Sequence, residues 1–318
     1  MSLLEGKIVY LDQKGWIDLA KSNKGIMEVV MRASEAGAAV FPLSIVHLAE
    51  TNSISNPQRR ERLASLMVPM SKGYCFSPYV EPIIGSEIRN AILRSLGIPT
   101  MDLKKYVLKK GISHLVGAKP EIIPKEGGLK PPPEIGQKLL DLLDSPEAMY
   151  IALTAHPRRY KKHSLSIQRG NIEAVKKMEH IRQEQLKIKD NNLRRRVALV
   201  SFMMEIMAPK LAKMLVEMNL PKDTVIKKGW SRRDFKEFLN SHPTALCLFT
   251  LLLERDQQLQ RLIEVNDLYD VWALSLAIPY SDIVVTEKMW TSITRQTKLD
   301  KICNTTILSS VDELIGHL

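Results

Sequence analysis

Short apolar runs rich in β-branched residues occur near both ends of the chain, and helical patterns follow them. KIVYL (7–11) and AAVFPL (38–43) lie near the amino terminus, and DIVVT (282–286) and TTILSS (305–310) near the carboxyl terminus. Short continuous apolar runs are typical of strands buried on both faces, and strands alternating with helices predict a parallel sheet flanked by helices. We therefore predict an α/β fold whose sheet is built from both chain ends.

The middle of the chain has a different pattern. Residues 81–255 carry long stretches of helical period and predict a mostly α-helical, basic insertion. Within them, segment 116–136 contains five prolines separated by glycines and charged residues, which is typical of a linker or a rigid excursion. We assign residues 1–80 and 256–318 to the α/β core and residues 81–255 to the insertion.

Positive charge is concentrated in one part of the chain. The formal net charge is +11, and residues 157–196 alone hold 13 Lys or Arg against 4 acids, a local net charge of +9. A concentrated basic surface suits a polyanion, most commonly nucleic acid, although a solvated helix face explains it equally well. Trp230, an aromatic residue among cations, suits base stacking but also simple packing. The other candidate contacts to nucleic acid are Arg158, Arg159, Lys161, Lys162, Arg194, Arg195 and Arg196.

The sequence also indicates the cellular compartment in which the protein is expected. No charge-free apolar run of about 18 residues occurs, so we expect no transmembrane helix and no membrane partner. The first residues lack the layout of a signal peptide, and we expect a cytoplasmic protein. Cys75, Cys247 and Cys303 are far apart and form no CxxC pair, which predicts buried free thiols in a reducing cytosol.

Four acidic residues fall near the predicted strand ends. Asp12 follows the first strand, Glu50 lies two turns into the helix after the second, Asp270 lies in the first turn of the helix leading into DIVVT, and Glu287 follows that strand. Ligands of parallel α/β sheets bind outside the carboxyl ends of strands, so these side chains are expected to converge. Converging carboxylates need a counter-charge, which a hard divalent cation supplies. We predict one or two Mg²⁺ or Mn²⁺ ions, as in enzymes of phosphoryl displacement.

Three stretches carry a resemblance to a known family. IVYLDQKGWIDLA, VFPLSIVHLAET and NDLYDVWALSLAIPYSDIVVTEKMW resemble the PIN-like nucleases of the PIN/flap-endonuclease superfamily. By position, the resemblance implies Asp12, Glu50, Asp270 and Glu287 as catalytic metal ligands, with Thr286 as the accompanying hydroxyl. It implies a metal-dependent endoribonuclease, with RNA favoured over DNA and with 5′-phosphate and 3′-hydroxyl products. The last acid is Glu where Asp is more usual, one position nearer the threonine, and the resemblance covers less than half of the chain.

Other interpretations stay open. Asp267 is expected to cap its helix and shares a face with Asp270, and His47, one turn before Glu50, is either a supporting or a packing residue. One alternative to a nuclease is a catalytically inactive PIN-like protein with a nucleic-acid-binding or regulatory function. A different Mg²⁺-dependent phosphotransfer enzyme or phosphatase is another, although neither a P-loop nor a D-x-D-x-T motif occurs. The resemblance also makes a toxin or defence nuclease an expectation, with the insertion as a docking place for a protein inhibitor or for a second copy in a homo-oligomer.

Overall fold

The computed structural model describes residues 6–118, 132–155, 161–225, 232–258 and 261–318, without the side chains of 133, 161–171 and 232. The described residues form an α/β fold, with a small parallel sheet flanked by helices, as the sequence predicts. The predicted strands are present: the first covers the whole of KIVYL, and the other three are shorter than their apolar runs. The strands are β1 (Lys7–Leu11), β2 (Ala39–Val40), β3 (Tyr74–Phe76), β4 (Leu108–Lys110), β5 (Ile283–Val285) and β6 (Thr306–Leu308).

The main sheet has the order β2-β1-β5-β6, and all of its strand pairs are parallel. Strands from the two chain ends lie side by side at its centre, with Val9 opposite Ile283 and Leu11 opposite Val285. Four of the five residues of β1 are buried, as in a strand covered on both faces. The carboxyl ends of β1 and β5 therefore meet at one edge, where the backbone N–H of Asp12 donates to the carbonyl of Val285 at 3.0 Å.

Helices account for most of the described chain. The first group is α1 (Gln13–Lys21), α2 (Lys24–Glu35), α3 (Ile45–Ser53), α4 (Pro57–Ser71), α5 (Val80–Ser95), α6 (Leu103–Val107), α7 (Ile112–Val116), α8 (Pro133–Leu143) and α9 (Pro146–Thr154). The second group is α10 (Lys161–Leu186), α11 (Asn191–Phe202), α12 (Ala208–Glu217), α13 (Arg232–Asn240), α14 (Pro243–Asp256), α15 (Val265–Tyr280), α16 (Lys288–Gln296), α17 (Leu299–Cys303) and α18 (Val311–Leu314). In the described part of the chain, none is long and apolar enough to cross a membrane.

Two local features differ from the sequence-based prediction. Strands β3 and β4 form a separate two-stranded antiparallel sheet, with α5 and α6 between them in the chain, which the apolar pattern did not reveal. Lys72 and Gly73 adopt left-handed conformations, with φ of 50° and 76°, and so end helix α4. Strand β3 begins directly after them. The stretch GQKLLDLLDSPEAMYIAL (136–153) has one continuous helical pattern, but α8 and α9 are separate, with Ser145 capping α9 and Pro146 at its first position.

The hydrophobic core lies on both faces of the main sheet, and alternate strand residues point to opposite sides. Ile8, Tyr10 and Val284 belong to the cluster that also includes residues of α5, α12, α14, α15 and α16. Val9 and Val285 belong to the second cluster, which includes residues of α1, α4 and α9. Helices from the middle of the chain therefore share one core with the sheet, and both faces of β1 and β5 are covered.

Candidate active site

The four acids predicted at the strand ends act on one another in the structure. Asp12 is the N-cap of α1, Glu50 lies in α3, and Glu287 is the N-cap of α16. Asp270 lies in the second turn of α15 and not in the first as predicted, because the helix already begins at Val265. The negative charges of Asp12, Asp270 and Glu287 all raise the pKa of Glu50. We call these four residues the acidic cluster. It lies beyond the carboxyl ends of β1 and β5, where parallel sheets bind ligands.

Asp12 is held by the chain around it. Its Oδ1 accepts a hydrogen bond from the backbone N–H of Gly15 at 2.6 Å, and its Oδ2 accepts one from the N–H of Glu287 at 3.0 Å. The Thr286 side chain also hydrogen-bonds it. Burial raises the pKa of Asp12 to about 6, with a further increase from the charge of Glu287, and the hydrogen bonds act in the opposite direction. Asp12 therefore joins the ends of β1 and β5 through its carboxylate.

Asp270 and Glu50 are half-buried acids with strongly raised pKa values. The indole N–H of Trp290 donates to Asp270 Oδ2 at 2.9 Å. Burial raises the pKa of Asp270 to about 7, and the charges of Asp12 and Glu287 add to this effect. Burial likewise raises the pKa of Glu50 to about 7, followed by the charges of the other cluster members. Both carboxyls thus take up and release protons close to neutral pH.

Within the described part of the chain, no paired cation balances the negative charge of the acidic cluster. Among the ion pairs of the described residues, none includes a cluster member. The exposed ammonium of Lys14 pairs with Asp18, whose hydrogen bond is the main cause of its raised pKa, and the charges of Asp12 and Glu287 add to the rise. Several carboxylates without a counter-charge are an electrostatic cost that protons or a metal cation relieve.

The cluster is not arranged as a finished coordination sphere. In the described residues, no three side chains of His, Cys, Asp or Glu form a group that could hold a metal ion as placed. The hydrogen bonds explain part of this arrangement, because Asp12 turns both oxygens to backbone N–H groups and Asp270 turns one to Trp290. Direct coordination by three members requires side-chain rotation.

His47 is a buried structural residue beside the cluster. Its Nδ1 accepts a hydrogen bond from the N–H of Ser44 at 2.9 Å, and its Nε2 lies 2.8 Å from the carbonyl oxygen of Leu11. This pattern assigns the proton to Nε2 and makes the ring neutral. Burial lowers the pKa of His47 to about 4, so the ring stays neutral at physiological pH. Its supporting role is to tie α3 to the end of β1.

Asp267 supports the helix that carries Asp270. Its Oδ2 accepts hydrogen bonds from the N–H of Glu264 and from the Arg255 guanidinium, each at 2.7 Å, and Arg261 lies 3.2 Å from Oδ1. Asp267 and Arg255 are 2% and 1% exposed. The expected helix cap is therefore also half of a buried ion pair, joining the start of α15 to α14.

The predicted nucleic-acid contacts fall in different parts of the structure. Arg158, Arg159 and Trp230 lie outside the described residues. Lys161 and Lys162 begin α10, where the side chains are not described. Three arginines follow in α11. Arg194 hydrogen-bonds Asn191, Arg195 pairs with Glu254 at 2.8 Å, and Arg196 is exposed.

A basic surface cavity that the sequence did not reveal lies between α1 and α4. Its volume is about 310 Å³, and the described residues that line it include Lys21, Arg59 and Arg62 but no acidic side chain. The Arg62 guanidinium donates to the carbonyl of Ala20, which holds it across the gap between the helices. Arg59 and Arg62 lie one turn apart on α4, and the packing of α1 against α4 brings Lys21 to them. Trp290 is likewise a site residue without a sequence signal, since it is separated by 20 positions from Asp270.

No protein-family model matches the chain, and no curated protein or solved structure matches it either.

Proposed function

We infer that the chain is a metal-dependent nuclease with a PIN-like core, which hydrolyses phosphodiester bonds in RNA. The observation that supports this most is the acidic cluster. Residues from both chain ends bring four carboxylates close enough at the carboxyl-terminal edge of a parallel sheet that their charges raise the pKa values of Asp12, Glu50 and Asp270, and no described Lys or Arg pairs with them. Their positions are also those that the resemblance to PIN-like nucleases implies.

The donor set fits a hard divalent cation. The cluster offers carboxylate oxygens alone, which suit Mg²⁺ or Mn²⁺ better than softer metals. Asp12, Glu50, Asp270 and Glu287 would hold one or two ions after rotation of the side chains. When bound, such an ion makes a water molecule more acidic and stabilises negative charge on the phosphoryl oxygens. Raised pKa values fit the same picture, because the cation would replace the protons that the acids hold near neutral pH.

Neighbouring groups orient the carboxylates. The N–H groups of Gly15 and Glu287 fix the plane of the Asp12 carboxylate, and the Trp290 indole fixes one oxygen of Asp270. The chain thus supplies two carboxylates that its own N–H donors orient.

A nucleic-acid strand would reach the cluster along the exposed side of α1. Lys14 lies at the cluster end of this helix, and Lys21 with the basic cavity lies at the other. Nine residues of α-helix span roughly 13 Å at about 1.5 Å per residue. Arg59 and Arg62 would contact phosphates of a strand whose scissile bond lies at the acidic cluster.

The test is cleavage of end-labelled single-stranded RNA and DNA with Mn²⁺ or Mg²⁺. We expect metal-dependent cutting of RNA by the wild type and its loss in Asp12→Asn and Asp270→Asn. Asp223→Asn, at an exposed aspartate far along the sequence, is the matched control and should cut normally. Titration of Mn²⁺ without substrate gives a second readout, because both cluster variants should bind the ion more weakly.

A PIN-like protein that binds nucleic acid without cutting it is the second candidate. It is favoured by Glu287, which stands where the resemblance to PIN-like nucleases expects an aspartate, and one position nearer the threonine. The same experiment separates the two functions. If the wild type binds RNA but cuts neither polymer with any tested metal, and if Mn²⁺ does not bind, the inactive form is the correct one.

A further inference from the structure

Two of the three cysteines lie close together although they are far apart in sequence. The Sγ atoms of Cys247 and Cys303 are 3.8 Å apart, and the residues are separated by 56 positions. Cys247 lies in α14, in the middle of the chain, and Cys303 is the last residue of α17, next to β6. Cys75 hydrogen-bonds the carbonyl of Gly73 with its own thiol and belongs to the cluster on the other sheet face. The fold thus makes one specific thiol pair.

The two thiols differ in access to solvent. Cys247 is fully buried in the core, whereas Cys303 is partly exposed at the edge of the same cluster. A disulfide has an S–S length of about 2.05 Å, so the sulfurs need to approach by roughly 1.8 Å. Rotation of the half-exposed Cys303 side chain, at the end of the short helix α17, can supply part of this movement. The more exposed thiol is the one that an oxidant in solution reaches first.

We propose that Cys247 and Cys303 are an oxidation site, which forms a reversible intramolecular disulfide on exposure to a low-molecular-weight disulfide such as oxidised glutathione. The Cys303 thiolate attacks one sulfur of the oxidant and releases one reduced glutathione, which leaves a mixed disulfide. Cys247 then loses its proton, attacks the Cys303 sulfur and releases the second glutathione. Two protein thiols lose two electrons and two protons, and one glutathione disulfide becomes two thiols.

Burial sets the rate of the second step. It raises the pKa of the Cys247 thiol, and the adjacent Cys303 adds to this effect, so the thiolate that resolves the mixed disulfide is scarce. Oxidation is therefore slow in the intact fold. Once formed, the bond joins α14 to α17, and α14 also packs against α15, the helix of Asp270. The proposal does not depend on the proposed nuclease activity.

The experiment uses the full chain incubated with oxidised glutathione, then alkylated under denaturing conditions and analysed by mass spectrometry. We expect loss of two of the three thiols, a crosslinked peptide containing residues 247 and 303, and no retained glutathione. The oxidised protein should unfold at a higher temperature than the reduced one, and a reductant should reverse the shift. Cys75→Ser should behave like the wild type, and Cys303→Ser should keep both remaining thiols free.

Several results would overturn the proposal. These are three free thiols after prolonged incubation, a stable glutathione adduct on Cys303, a bond that involves Cys75, or a disulfide-linked dimer. Peptide mapping of the wild type distinguishes all of them, so the conclusion does not require the variants to fold.

Discussion

The imidazole of His47 donates a hydrogen bond from Nε2 to the carbonyl oxygen of Leu11 at 2.8 Å. Leu11 precedes Asp12 at the end of β1, and His47 lies three residues before Glu50 in α3. The bond therefore links the two elements that carry two members of the acidic cluster. Since the ring is neutral and fully buried, the link does not vary with pH in the physiological range.

Replacement of His47 should destabilise the fold. In His47→Phe the carbonyl of Leu11 and the N–H of Ser44 lose their buried partner, and an unsatisfied buried group costs about 1–3 kcal/mol. We expect a decrease of at least this size in the free energy of unfolding, measured by urea denaturation. His180→Phe, at an exposed histidine of α10, should change it by less than about 0.5 kcal/mol. Equal effects of the two substitutions would contradict the structural role of His47.

Ionisation of Glu50 should destabilise the protein as pH rises. Its pKa is raised from 4.5 to about 7, so the folded state holds the proton more tightly than the unfolded state between these values. Stability is therefore lost as pH increases through this window. Glu50→Gln removes the ionisation and should raise the thermal midpoint above pH 7 relative to the wild type, with the difference shrinking towards pH 4.5. Measurements in EDTA avoid any contribution from bound metal.

The effect of Glu50 has to be measured by comparing variants, because buried histidines change the stability of the protein with pH in the opposite direction. Burial lowers the pKa values of His47 and His242 from 6.5 to about 4, so both contribute stability that is lost on acidification through that range. The profile of the wild type alone mixes the two trends. Glu205→Gln, at an exposed glutamate, is the matched control and should follow the wild type at every pH. If Glu50→Gln also follows the wild type at every pH, the pKa of Glu50 is not raised in the folded protein.

Local sequence patterns predicted the α/β class because each strand of the main sheet is a continuous apolar run with a helix beside it. Asp12 and Glu287 were expected to lie close together because ligands of parallel sheets bind outside the carboxyl ends of strands. In the structure the N–H of Glu287 donates a hydrogen bond to Asp12 Oδ2. The hydrogen bond of Trp290 to Asp270 and the basic cavity could not be predicted. They depend on how whole helices pack, which residue spacing does not encode.

Removal of Asp267 should cost far more than removal of an exposed acid. Asp267→Asn leaves the Arg255 guanidinium buried without its counter-charge, which typically costs about 3–5 kcal/mol. A double-mutant cycle with Arg255→Met, measured by urea denaturation, should show strong coupling between the two residues. Glu28→Gln breaks the exposed pair with Lys24 and should cost at most about 1 kcal/mol. Additive effects of Asp267→Asn and Arg255→Met would show that the pair is not coupled.

The basic cavity gives the last prediction, which concerns binding rather than cleavage. In the Asp12→Asn background with EDTA, we expect Arg59→Ala combined with Arg62→Ala to weaken binding of single-stranded RNA similarly for different sequences. The slope of log affinity against log salt should become shallower by about 0.7 for each phosphate that the protein no longer neutralises. Fluorescence anisotropy of labelled RNA at several salt concentrations measures both quantities.

The matched control removes two positive charges elsewhere. Lys213→Ala combined with Lys222→Ala changes exposed lysines at and beyond α12, and it should leave the salt slope near that of the parent. A smaller slope only in the arginine variant assigns phosphate binding to the cavity, because both variants lose the same net charge. An unchanged slope in the arginine variant, with RNA still bound, would instead place the strand on another basic surface, of which residues 157–196 are the first to test.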